Sequence, residues 1–175
     1  AFSTETGDVL GRIYTGGQPA SLALLPDGRT LAAVSALDNR IFVIDMDGLT
    51  LRATYSFEGL FGFGSILALS PDGSYGYISS TGTGEVIKFD ISSGNEVGRL
   101  KDLSTPAQIT VTKDGGTLVV VDTSANEVVF ADSSLMIAKY KMTAAEVYPG
   151  ANFTIFNKAV LNSDESYGVI GSQDS

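Results

Sequence analysis

Neither cysteine nor histidine occurs among the 175 residues. Without cysteine there is no disulfide, no thiolate nucleophile and no Cys-ligated metal, and the absence suits an oxidising or a reducing compartment equally. The missing histidine excludes more. The commonest general base and the commonest transition-metal ligand are both gone, and with them any Ser-His-Asp triad or His-metal centre. Positive charge is scarce as well: 11 Lys and Arg stand against 20 Asp and Glu, a net charge of −9. Nucleic-acid affinity comes largely from cations that displace counterions, so no nucleic-acid partner is expected, nor an anionic membrane surface. No apolar run approaches the ~18 residues of a spanning helix, so no membrane insertion is expected either. The chain begins Ala1-Phe2-Ser3, with neither Met nor a signal sequence, which reads as a mature end or a cut one.

What is present is a mixture 43% hydrophobic, only 18% charged and holding 20 glycines. It is too apolar for disorder and suits many short strands joined by tight turns. Four times an alternating apolar run reaches a Pro-Asp-Gly-like turn and leaves it as a second alternating run. The copies are Ser21–Gly28, Ser65–Gly73, Gln108–Gly115 and Lys158–Glu165, and their turn aspartates Asp27, Asp72, Asp114 and Asp164 stand 45, 42 and 50 residues apart. That spacing belongs to repeat architectures, above all to propeller blades of four strands.

The expected fold is therefore an all-β propeller of four-stranded blades, about four blade equivalents and part of a larger ring. In the first unit the strand before Pro26 is the inner one, followed by Thr30 to Ser35, Arg40 to Asp45 and Leu49 to Phe57. The second unit gives Phe63 to Leu69, Tyr75 to Ser80, Glu85 to Asp90 and Glu96 to Leu100. The third gives Ala107 to Thr112, Thr117 to Asp122, Glu127 to Asp132 and Ile137 to Met142. All three third strands end in aspartate, and their near-continuous apolar character means that both faces are covered. No sustained helical period exists. Leu135 to Glu146 comes nearest and fits an outer strand better.

Gly16-Gly17-Gln18-Pro19, a small-apolar strand, Pro26-Asp27-Gly28, a further strand and the Val43-Ile44-Asp45 strand end together resemble the YVTN-type β-propeller repeats, relatives of the NHL and WD-repeat propellers. The likeness covers nearly the whole chain. The family's aromatic-Val-Thr-Asn second strand is missing: Leu31–Ser35 and Tyr77–Ser80 are degenerate. The resemblance implies a bacterial or archaeal protein that is extracellular, periplasmic or on the cell surface. It does not imply an activity.

The ends complement one another. Phe2 to Val9 aligns with Phe89 to Val97 with one gap, so the chain opens at a third-strand end and runs into a fourth strand, Val9 to Tyr14. Tyr167 to Ser172 reads as a second strand. One domain over 1–175 then divides into the outer part of a blade (1–16), three blades (17–57, 58–101 and 102–149) and the inner half of a blade (150–175). The halves can close a four-bladed ring within one chain, or pair two chains into eight blades. They can also belong to a longer propeller, with self-association through the terminal half-blades compatible with that.

Connections between second and third strands cluster on one rim: 37–40, 81–85, 123–127 and 173–174. Asp38, Asn39, Asn126 and Asp174 are the ligand-binding candidates there, because carboxylates and amides suit a polar ligand or Ca²⁺. Ordinary turn chemistry accounts for the same residues. No Asp-x-Asp-x-Asp-Gly run exists, so no metal site is assigned. Gly62-Phe63-Gly64-Ser65 precedes a strand and not a helix, which removes a phosphate-loop reading. Phe57, Leu60, Phe61 and Phe63 are read as packing between the first two units. Inner strands offer Ser21, Ala23, Ser65, Ala68, Gln108, Thr110 and Asn162, with no carboxylate before the turns. The expectation is a non-catalytic binding or scaffold domain, with no catalytic residue and no cofactor, for a protein or small-molecule ligand. The alternative is a lactonase-type or quinone-dependent dehydrogenase-type propeller whose site other blades complete.

Overall fold

A computed structural model describes residues 1–58, 62, 65–154, 159–171 and, by backbone alone, 173–174. Strands follow one another as antiparallel meanders, each chain reversal set by a short turn. β1 (Pro19–Leu24), β2 (Thr30–Ser35), β3 (Arg40–Asp45) and β4 (Thr50–Ser56) form one four-stranded sheet in that order. β5 (Leu67–Leu69), β6 (Tyr75–Ser80), β7 (Glu85–Asp90) and β8 (Glu96–Leu100) form the second, and β9 (Pro106–Val111), β10 (Thr117–Asp122), β11 (Glu127–Asp132) and β12 (Ile137–Thr143) the third. The inner strands β1, β5 and β9 are successive neighbours, and β14 (Ala159–Leu161) follows β9. These are propeller blades.

The hairpin turns show why the sequence reverses where it does. Asp27 Oδ1 accepts from the Arg29 and Thr30 amides, Asp72 Oδ1 from Ser74, and Asp114 Oδ1 from Gly116. Each time the next residue is a glycine with φ near +70°, Gly28, Gly73 and Gly115. In the fourth copy Glu165 takes that conformation, at φ 58°. L side chains visit this region at a cost.

A second device recurs between third and fourth strands. The aspartates ending β3, β7 and β11 accept amides two or three residues on: Asp45 from Asp47 and Gly48, Asp90 from Ser93, Asp132 from Ser134 and Leu135. Four residues after each aspartate the chain turns left-handed, at Leu49, Gly94 and Met136. One bulge then shifts the register at the same place in every blade, leaving Arg52, Val97 and Lys139 as the extra residue. Bulges sharpen local twist, as the outermost strand of a blade requires.

The core lies between blades. Ala32, Val34 and Ile41 of the first pack on Ile78, Ile87 and Phe89 of the second. Tyr77 and Val86 of the second meet Leu118, Val120 and Val129 of the third. Alternate residues of one strand thus serve opposite interfaces, and each fully buried side chain contributes roughly 1.5–3 kcal/mol. Phe57 stands edge-on to Phe89 at 5.3 Å, in accord with the packing role read for it, while Leu60, Phe61 and Phe63 lie outside the described residues. Inner-strand hydroxyls cross-link neighbours: the Leu67 amide donates to Ser21 Oγ, and Thr110 Oγ1 donates to the Ala159 carbonyl.

Four elements differ from the sequence reading. Residues 10–16 form no strand, and only a Phe2–Val9 bridge stands where Val9 to Tyr14 was expected to begin one. The inner strand of the second blade, expected from Phe63, runs over Leu67–Leu69 among the described residues; Ser65 turns back onto the Gly62 carbonyl, Ile66 bonds to Ser79 of β6, and Phe63 lies outside the described residues. A single helical turn, α1 (Ala144–Val147), follows β12, closed by a capping box in which Thr143 and Glu146 exchange hydrogen bonds. The fourth unit is two short pairs: β13 (Ala151–Asn152) with β16 (Gln173–Asp174), and β14 with β15 (Gly168–Ile170). Residues 173–174, expected as a rim connection, are therefore a strand.

Candidate functional site

On the rim of second-to-third connections, the backbone requires one left-handed residue per turn. Asn39 (φ 51°), Gly84 (φ 68°) and Asn126 (φ 57°) supply it. Asparagine tolerates this region better than most L residues, which explains its use twice. The Asn39 carbonyl accepts the Phe57 amide.

Asp38 closes the loop that leads into β1. Its Oδ2 accepts the Gly17 amide and the Ser35 hydroxyl, both at 2.9 Å. Those two bonds, in that order, hold its pKa below the usual carboxylate value. In the third blade the task passes to Asp122, fully buried, whose two oxygens accept the Ser104 and Thr105 amides at 2.6 and 2.7 Å. Sequence reasoning missed Asp122. Its signal was there, a carboxylate at a strand end where the other blades have Ser35 and Ser80. Asn126 reaches the fourth unit: its Nδ2 donates to the Ala151 carbonyl and its Oδ1 accepts the Phe153 amide at 2.8 Å. The backbone of Asp174 pairs with Ala151. Asn126 and Asp174 thus both meet Ala151, whereas Asp38 and Asn39 belong to the first blade.

At the opposite end, between the second and third blades, lies a polar cavity of about 300 Å³ lined by Tyr75, Tyr77, Lys88, Asp72, Asp114 and Ser133, among others. Lys88 is 8% exposed, donates from Nζ to the Ser133 carbonyl at 2.9 Å and lies 4.2 Å from the centre of the Tyr75 ring. Desolvation lowers its pKa, against the opposing pull of Asp132 and Asp72. This lysine is legible only as an oddity, a cation inside an otherwise apolar third strand. Asp72 and Asp114 face the cavity while bound to their own turns, Asp72 by the Ser70 and Ser74 hydroxyls and Asp114 by the Thr112 hydroxyl. Among the described residues, no three acidic side chains converge in a way that could hold a metal ion.

No known protein family matches the chain, and no curated protein is similar to it in sequence. Solved structures are similar in fold. Hydrazine synthase of Kuenenia stuttgartiensis superimposes over 94% of this chain and 45% of its own, with a TM-score of 0.75 and 18% identity. A putative 6-phosphogluconolactonase from Bacteroides fragilis superimposes over 71% and 39%, with a TM-score of 0.63 and 20% identity. This chain spans less than half the length of either. Such likeness establishes the propeller fold and nothing of the chemistry.

Proposed function

We propose that this chain is a non-catalytic β-propeller domain of YVTN type, from a secreted or surface protein, which binds a protein or small polar ligand through its loops. The observation that carries the reading is the state of its carboxylates. Asp27, Asp38, Asp45, Asp72, Asp90, Asp114, Asp132 and Asp164 all have pKa values pushed down by hydrogen bonds from nearby backbone or side-chain groups. A general acid or base at neutral pH needs the opposite shift. These groups are acceptors already filled, and neither histidine nor cysteine exists to replace them. Binding then rests on loop shape, with Asp38 and Asn126 fixing the loops and the recess beside Lys88 and Tyr75 as the pocket for a small polar group.

The competing reading is the enzyme whose site lies in further blades, to which the 6-phosphogluconolactonase likeness lends the class of lactone hydrolysis. One assay separates the two. The chain alone and the chain joined to further blades of a parent protein are both offered lactone, ester and quinone-coupled substrates, with and without Ca²⁺. No turnover above buffer is expected. Turnover that follows the protein and disappears in Asp38→Asn or Asp174→Asn would overturn the binding reading.

A further inference from the structure

The joint between the first and second blades and the joint between the second and third share one backbone geometry and differ in chemistry. The Leu25 amide donates to the Thr30 carbonyl as Ser70 donates to Tyr75, so Leu25 and Ser70 stand at equivalent points. The Ile91 amide donates to Ser74 as Ser133 donates to Gly116, which matches Ile91 with Ser133. Val43 pairs with Ala32 as Lys88 pairs with Tyr77. The blades also approach alike: a Cβ on Gly73 would stand 3.0 Å from Pro26, and one on Gly115 3.4 Å from Pro71. At the first joint Leu25 and Ile91 pack in one apolar cluster, and Val43 is buried. At the second, the same three positions are Ser70, Lys88 and Ser133, and they line the polar cavity of about 300 Å³. The first joint shows what blade packing alone asks for. Three concerted changes to polar residues, at a joint between two complete four-stranded sheets, break that rule in one place, and such breaks belong to sites that do more than pack.

Lys88 is the most demanding of the three. Lysine is seldom buried without a counter-ion, yet Lys88 is 8% exposed and, among the described residues, belongs to no ion pair. An ammonium carries three donors. One goes to the Ser133 carbonyl at 2.9 Å, and the Tyr75 and Tyr77 rings, with centres 4.2 and 5.9 Å away, offer only their faces. The nearby carboxylates are engaged elsewhere. Asp72 and Asp114 are held by their own turns, and Asp132 accepts the Ser134 and Leu135 amides and pairs with Lys139. The cavity therefore holds a buried cation with donor capacity to spare and no carboxylate in contact with it.

We infer that this cavity binds the carboxylate of a small organic acid, with Lys88 as the direct partner of its charge. The inference rests on the reading of the recess as a pocket for a small polar group, and gives that group its chemical class. A single ammonium matches a single negative charge, while Asp72 and Asp114 on the wall oppose the second charge of a phosphate. The volume stands at the lower end of the range for ligand pockets, so the acid is small. Pro71, Tyr75 and Tyr77 supply apolar wall for its carbon chain. Its carboxylate completes the hydrogen bonding of the ammonium with a charge-assisted bond, which neither the Ser133 carbonyl nor a ring face provides.

The test compares three probes on the unmodified chain: acetate, its uncharged analogue acetamide, and inorganic phosphate. Each is titrated at pH 7 and fixed ionic strength, set with chloride, while NMR follows the backbone amides of Gly115, Ser133 and Ser134. Acetate is expected to shift them saturably, and acetamide and phosphate to bind at least tenfold more weakly. Lys88→Gln keeps a donor for the Ser133 carbonyl and removes the charge, and is expected to cut acetate affinity at least tenfold. Acetamide as good as acetate, or phosphate better, would overturn the carboxylate and leave the pocket reading standing. Undiminished acetate binding in folded Lys88→Gln would overturn the part given to Lys88. No shift with any probe would overturn this inference and the pocket reading together. The comparison of acetate with acetamide decides the matter even where Lys88→Gln fails to fold.

Discussion

Asp72 shows how much of this protein a single side chain can organise. Its carboxylate takes the Ser70 hydroxyl at 2.6 Å, the Ser74 amide and the Ser74 hydroxyl, and those bonds pull its pKa from 3.8 to about 2. Asp27 is drawn to about 2 by Thr30 and the Arg29 amide. The sign follows from linkage. In the unfolded chain these groups take up protons near pH 3.8, whereas in the fold they stay ionised to about pH 2. Their contribution is complete above pH 4 and is lost as pH falls through the folded value. Melting temperature is therefore expected to drop steeply between pH 4 and 2. Asp72→Asn is expected to melt lower than the unmodified chain at pH 7, with the gap closing by pH 2. A gap independent of pH would show that the turn uses the side chain's shape and not its charge.

At the scale of the element, the turns carry the design, and they were the part most open to inspection in the sequence. Pro-Asp-Gly states its own geometry, because the aspartate must cap and the glycine must take positive φ. Strand-end aspartates announced the third strands, and the likeness of the first residues to the turn after Phe89 extends to individual hydrogen bonds, but without the expected gap: Phe2 pairs with Val9 as Phe89 pairs with Glu96. Three features had no comparable local cue. The bulge depends on pairing across strands, so Arg52, Val97 and Lys139 look like any other strand residue. Residues 10–16 were read as a strand from their likeness to the second blade, yet a strand needs a neighbour, and among the described residues none pairs with them. The Thr143–Glu146 capping box was present as Thr-Ala-Ala-Glu but sat against an alternating strand pattern. As for the candidate site, Asp38 and Asn126 were picked as polar rim residues, and what no sequence shows is that their polar atoms are turned onto backbone. Asn126 gives the prediction at this scale. Asn126→Gly keeps the left-handed turn, as Gly84 does in the second blade, but strips the acceptor from the buried Phe153 amide. The expected loss is about 1–3 kcal/mol by chemical denaturation. No measurable loss would mean that the latch to the fourth unit contributes nothing.

Over the whole molecule, stability is passed from blade to blade, because the three largest apolar clusters among the described residues each span an interface, and the small one around Phe42 lies on the first sheet. Strands β6, β7, β10 and β11 have neighbours on both faces, and Ile78, Ile87, Val120 and Val129 are fully buried. Among the described residues β14 and β15 have a blade on one face only, and Val160 and Val169 are 56% and 64% exposed. In a nearest-neighbour chain of units the end opens first, since unfolding it breaks one interface where unfolding a middle unit breaks two. Native-state hydrogen exchange of the dilute chain is therefore expected to run in a gradient. Amides of Ala159–Leu161 and Gly168–Ile170 should exchange about a hundredfold or more faster than those of β6 and β10, with the first blade between them. The first blade is intermediate because Ile13 shields Phe42 and Ile44 on its free face. Equal protection in all four units would mean that the arc unfolds as one cooperative body, and that the interfaces couple more strongly than their separate clusters imply.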